Sequence, residues 1–139
     1  MKVVINKCFG GFSLSAKAVR RLAELKGRKC FFFSGYDKPY TPISDKEAEK
    51  EFAITAFDVP YPNKLGDDAY AKHNLYFCGI DRTDPDLIRV IEELGAGHHT
   101  GASGSCAELE IVEILDGTNY EIAEYNGNEH IAEVHRTWG

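Results

Sequence analysis

The chain predicts an α+β (mixed α/β) fold in a single compact domain, 1-139, with a small sheet, two main helices, a β-hairpin in the C-terminal half and a short C-terminal helix. Three observations carry this. Short β-branched and aromatic runs stand apart from two stretches with helical spacing of apolar residues. A turn signal, Asp116-Gly117, separates two runs with partial apolar and polar alternation. No internal repeat or low-complexity linker divides 139 residues that are 43% hydrophobic, enough to close one core.

In chain order, "KVVI" at 2–5 reads as a buried strand. Ser15 can cap a helix in which Val19, Leu22 and Ala23 recur at helical spacing, and Gly27 ends it. "KCFFF" reads as a second strand. Residues 34–74 hold four of the five prolines and one charged stretch, "SDKEAEKEF", suited to a short solvated helix. "LYFCGI" reads as a further strand. Asp84 then caps and Pro85 opens a helix with Leu87, Val90, Ile91 and Leu94 inward and Gly95 at its end. "AELEIVEIL" and "YEIAEY" flank Asp116-Gly117 as a hairpin. The tail "NEHIAEVHRTW" puts Ile131, Val134, His135 and Trp138 on one helical face, which predicts the closing helix.

Charge narrows the partners. Sixteen Lys+Arg against 22 Asp+Glu give a formal net charge of -6, which repels a nucleic-acid backbone, so polymeric nucleic acid is not expected as a ligand. Cys8, Cys30, Cys78 and Cys106 lie far apart without a C-x-x-C pair, which points to reduced thiols and to no metal or cofactor. No apolar run reaches the eighteen or so residues of a membrane span and no leader pattern opens the chain, so a cytoplasmic protein without a membrane partner is expected.

Two glycine-bearing segments are the candidate ligand site. "NKCFGGFSLS" puts Gly10 and Gly11 between a strand and a helix, where unpaired amides near the positive end of the helix dipole suit phosphate or carboxylate. Phe9, Phe12 and Ser13 flank the pair, and Lys17, Arg20 and Arg21 follow on the helix. The stretch is neither a P-loop nor a dinucleotide fingerprint, so a plain turn is the competing reading. "GAGHHTGASGSCA", from Gly95 to Ala107, gathers four glycines with His98, His99, Ser103 and Ser105, small residues that can form an amide nest. His98-His99-Thr100 matches half of a two-copy H-x-T phosphoesterase signature, but one copy stands here; an exposed loop is the alternative. Near the end, His130 and His135 are five apart, missing the i, i+4 spacing of a helical metal pair. Arg136 is a further candidate contact, and Glu129 and Glu133 are expected to pair with neighbouring turns of that helix. Aromatics including Phe9, Phe12, Tyr36 and Tyr40 either stack a base or fill the core.

"MKVVINKCFGGFSLS", "DPDLIRVIEELG", "AELEIVEI" and "YEIAEYNGNEHIAEVHRTW" together resemble a family of small, mostly uncharacterised proteins of tailed bacteriophages and prophages. The likeness covers both ends, about half the chain. The family pattern carries a shorter Gly-Ser loop where this chain has "GAGHHTGASGSC", so His98 and His99 are not carried over as a shared catalytic pair. The resemblance implies a phage accessory protein in the host bacterial cytoplasm, acting against host defence. A binding protein that sequesters a phosphorylated nucleotide second messenger without catalysis fits the parts. The alternatives are a phosphodiesterase using His98 and His99 and an acidic protein that occludes a host enzyme, and a homo-oligomer is compatible with each.

Overall fold

β-branched side chains stiffen residues Lys2–Asn6 into β1, buried from Val3 through Asn6. The computed structural model describes residues 1–7, 12–35, 38–50, 54–75, 77, 79–95, 101–103 and 107–133. β1 is followed by α1 (Ala16–Leu25), β2 (Phe31–Ser34), β3 (Thr41–Pro42), α2 (Asp45–Ala48) and β4 (Ile54–Phe57). After a 3-10 turn at Pro62–Lys64 come α3 (Asp67–His73), α4 (Pro85–Leu94), β5 (Leu109–Glu113), β6 (Tyr120–Tyr125) and β7 (Asn128–Glu133). The class is α+β, built on three small antiparallel sheets, β1-β5, β3-β2-β4 and β6-β7.

Local chemistry sets the helix ends. Ser15 accepts from the Ala18 amide at the start of α1, and Gly27 follows its end with φ +70. Asp84 accepts from the Asp86 and Leu87 amides ahead of Pro85, and Gly95 closes α4 at φ +79. Ser44 caps α2, inside the charged stretch.

α1 lies between two packed layers. Ala18 and Leu22 meet Leu87, Val90 and Ile91 of α4 together with Val4 and Leu109. Ala16 and Ala23 meet Phe32, Ala56 and Leu75 on the other side, where alanines let the helix approach β2 and β4 closely. Full burial of Leu22 or Leu87 is worth about 2 kcal/mol each. Phe33, Tyr40, Phe57 and Leu65 form a separate cluster, with Phe57 edge-on to Tyr40 and Tyr70 at centroid distances of 5.2 and 5.4 Å.

Three expectations need correction. The strands around Asp116-Gly117 do not pair with each other: β5 pairs with β1, Val4 opposite Ile111, and β6 pairs with β7. The hairpin of the C-terminal half therefore turns at Asn126-Gly127, whose φ values of +50 and +89 suit the primed turn that matches strand twist. The closing helix is absent from Asn128–Glu133, which is β7, while 134–139 lie outside the described residues. Helical spacing of Ile131 and its neighbours loses to that turn, which commits the chain to return along β6. Third, the described residues of "LYFCGI" form no strand: just after the Asn74–Phe57 bridge the Leu75 amide bonds Ala56, and the chain then turns at Gly79, with Tyr76 and Cys78 outside the described residues. Among the described residues no helix is long and apolar enough to cross a membrane.

Because Gly127 holds the hairpin turn at positive φ, Gly127→Ala should lower stability by about 1 kcal/mol in urea unfolding. Gly66→Ala, at ordinary φ with open space around its Cβ, should not. Equal effects would rule out the primed turn.

Candidate functional site

A hydroxyl at the start of α1 joins two distant parts of the chain. The Ser15 Oγ that caps α1 also donates to the Gly101 carbonyl at 2.5 Å, and the Ser15 amide donates to Ala102 at 2.8 Å. Leu14 and Ser103 form a β-bridge. The Ala102 amide bonds Gly95 at 2.7 Å, and the Leu109 amide donates to the buried Ser103 hydroxyl at 2.9 Å. On the other flank, the Lys7 amide bonds the Glu108 carbonyl at 2.7 Å while Asn6 Oδ1 accepts from the Glu108 amide at 2.9 Å. The described flanks of the two glycine-bearing segments are thus stitched to each other. Phe9, Gly10, Gly11, His98, His99, Ser105 and Arg136 themselves lie outside the described residues.

A buried polar network backs this junction. The Arg82 guanidinium meets the Glu129 carboxylate with both nitrogens, at 2.6 and 3.0 Å, and stacks 3.8 Å over the Phe12 ring. Glu129 Oε1 also accepts the Asn6 amide at 2.7 Å, and Asn6 Nδ2 donates to Gly127 at 2.8 Å. The Glu129 side chain is only 7% exposed, and these bonds give the buried carboxylate the partners that burial demands. Residue spacing does not signal a pair between positions 82 and 129, and Glu129 was expected on a helix with short-range partners. The β7 register brings it to Arg82 instead.

The cations expected on α1 are already engaged. Arg20 forms a close ion pair with Asp45, donates to the Cys30 carbonyl and lies over Phe32. Arg21 bonds Glu93 at 2.9 Å and Glu24 at 3.2 Å. Lys17 stands 4.0 Å from Glu49. Hydrogen bonds from Arg21 and Arg89 hold the Glu93 carboxyl down at about 2. Ser13 is half-buried, and Phe12 carries Arg82 on its ring. Tyr40 belongs to the aromatic core. A cation that sequence reasoning passed over is Lys7, exposed, inside the first glycine-bearing segment, and without an ion pair among the described residues. Its place three residues before Gly10 was the available signal.

A second polar cluster ties the far side together. Asp58 accepts from Arg28 Nε and Nη2 at 3.1 and 2.9 Å, while its other oxygen lies 2.8 Å from His73 Nδ1. Burial disfavours the Asp58 charge, but the bonds from Arg28 and His73 outweigh it and keep the carboxyl below its usual value. Cys30 is a buried free thiol, pushed up to about 11 chiefly by burial. No cluster of three metal-ligating side chains occurs among the described residues. No protein-family model, curated protein or solved structure matches the chain.

Two predictions follow from these clusters. Glu129→Ala should cost about 3–5 kcal/mol in urea unfolding because it strands the Arg82 charge, and Arg82→Met with Glu129→Leu should recover part of that loss. A double variant no more stable than Glu129→Ala would show that the pair does not act as a unit. At Asp58, a lowered folded value means its stabilisation is present above the ordinary carboxylate range and is lost as pH falls through the folded value. Thermal melts of Asp58→Asn should therefore be lower than wild type at pH 7 and converge with it toward pH 3; a constant gap would dismiss the linkage.

Proposed function

We propose that the protein binds and sequesters a phosphorylated nucleotide, without catalysis, at the junction of its two glycine-bearing segments. The observation that carries this reading is the Leu14–Ser103 bridge with the Ser15 bonds to Gly101 and Ala102, which draws two independently suspected segments to one place. Phosphate oxygens are well served by backbone amides around glycines. Lys7 supplies an exposed cation without an ion pair among the described residues, and Phe12, held by the Arg82 guanidinium that Glu129 neutralises, supplies an aromatic ring. Arg20 and Arg21 contribute only if they exchange their carboxylates for the ligand. The phage resemblance suggests the biological setting: an accessory protein in a bacterial cytoplasm that removes a nucleotide signal of host immunity.

The test is direct. Protein incubated with a panel of cyclic nucleotides and ADP-ribose derivatives, washed and heat-denatured, should release one of them intact. Gly11→Val should abolish this with its melting temperature nearly unchanged, and Lys7→Ala should weaken binding by about tenfold or more, the scale of hydrogen bonds to charged groups, while Arg20→Ala chiefly costs stability. Affinity should rise as pH falls through about 6.5, and His98→Ala with His99→Ala should flatten that rise. Newly formed products that disappear in this double variant would replace the reading by the phosphodiesterase; release of nothing from the panel would remove the nucleotide.

A further inference from the structure

Six asparagines occur in the chain, and Asn126 alone is followed by glycine. The turn that joins β6 to β7 holds it exposed, at φ +50, between the paired residues Tyr125 and Asn128. An asparagine side chain is open to attack by the main-chain nitrogen of the next residue, and a glycine nitrogen, with no side chain beside it, approaches most freely. The Gly127 amide donates to no partner among the described residues, so that nitrogen is uncommitted. The Gly127 carbonyl is engaged instead: it accepts from Asn6 Nδ2 at 2.8 Å. Asn6 is fully buried, and its Oδ1 accepts the Glu108 amide at 2.9 Å, next to the Lys7–Glu108 bond that flanks the two glycine-bearing segments. A single carboxamide therefore spans from the hairpin turn to the junction.

We propose that Asn126-Gly127 is a site of spontaneous deamidation and that its isoaspartyl product loosens the junction through Asn6. The Gly127 nitrogen attacks Asn126 Cγ and forms an N–Cγ bond; the Cγ–Nδ2 bond breaks, and the amide nitrogen leaves as ammonia with the proton that Gly127 gives up. Water then opens the cyclic imide. Addition at Cγ restores the ordinary backbone with an aspartate side chain. Addition at the main-chain carbonyl carbon leaves an isoaspartate, with the side-chain methylene now in the main chain and the carboxylate pendant. The isoaspartyl turn thus carries one more main-chain atom than the two-residue turn that fits strand twist. The strands cannot absorb it by slipping, because a one-residue shift of β7 turns Glu129 away from Arg82 and the Asn6 amide. The extra length falls on the turn itself and displaces the Gly127 carbonyl from Asn6 Nδ2, so Asn6 meets Glu108 with its other end unanchored. This coupling does not depend on what the junction binds.

The experiment ages the full folded chain at mildly alkaline pH beside Asn126→Gly, which keeps a turn of two glycines but has no side-chain amide to lose. Peptide mass mapping should find amide converted to acid at Asn126 at least about tenfold faster than at Asn6, Asn63, Asn74, Asn119 or Asn128, a difference of about 1.4 kcal/mol in barrier. In the isoaspartyl form, isolated by ion exchange, hydrogen exchange at the Lys7 and Glu108 amides should rise by about two- to tenfold, the scale of one hydrogen bond. Asn126→Asp, with the same charge and the ordinary backbone, should leave both amides as in wild type, and so should aged Asn126→Gly. An Asn126 that stays intact in the folded chain while the urea-unfolded chain converts would show that the turn protects it and overturn the site. Conversion without a change at Lys7 and Glu108 would overturn the coupling. A rise spread equally over α1 and α4 would be loss of fold, and an equal rise in Asn126→Asp would be an effect of charge; either overturns the role of the lengthened backbone.

Discussion

The buried carboxylate of Glu129 is the constraint on which the C-terminal third depends. It receives the Asn6 amide at the end of β1 and both nitrogens of Arg82, while the Arg82 carbonyl accepts from the Val4 amide and the Arg82 guanidinium donates to the Val4 carbonyl. Removing a carboxylate and a guanidinium from water costs several kcal/mol each, and their attraction with added hydrogen bonds roughly offsets that. The pair is therefore a weak source of net stability and a strong source of register. A one-residue slip of β7 would turn Glu129 to the opposite face and leave Arg82 buried without its counter-charge. The hairpin has one tolerable seat on β1, and it is fixed by polar chemistry where the apolar area is small.

Ser15 plays the corresponding part at the other end of the glycine segment. Its hydroxyl accepts from Ala18 as a helix cap and donates to Gly101, so the hydrogen that a cap ordinarily gives to water binds a chain segment 86 residues away. The start of α1, the Leu14 bridge and the run 101–103 are consequently one unit. α1 in turn cannot shift without disturbing both apolar layers, since Ala18 and Leu22 serve one and Ala16 and Ala23 the other.

What could be read from sequence was what is decided locally. Ser15, Asp84-Pro85 and Gly95 set helix ends through atoms within four residues, and each stands where its chemistry places it. Pairing was not local. Asp116-Gly117 and Asn126-Gly127 are both good turns, and only the long-range match of β5 to β1 decides which of them joins paired strands. The same holds for the site. That two glycine-bearing segments held interest was visible from composition, whereas their meeting, the Arg82–Glu129 pair and the carboxylates facing α1 all depend on contacts more than twenty residues apart. The middle of the chain was opaque because β4 and α3 are four and seven residues long, too short for periodicity to declare itself.

Those carboxylates decide how an anion would be recognised. A basic helix read from sequence suggests a phosphate clamp, but Asp45, Glu93 and Glu49 meet Arg20, Arg21 and Lys17 before any ligand arrives. These ion pairs lie at partly exposed positions, where each is worth at most about 1 kcal/mol, so their larger effect is to cancel the local field. With α1 neutralised in this way, the helix adds little positive field to offset the net charge of -6. The anion site we propose at the junction would then depend on short-range hydrogen bonds and on Lys7, and less on long-range attraction. Under the proposed function an anion would be selected by fit and hydrogen bonding, since the field of the net charge works against capture at a distance.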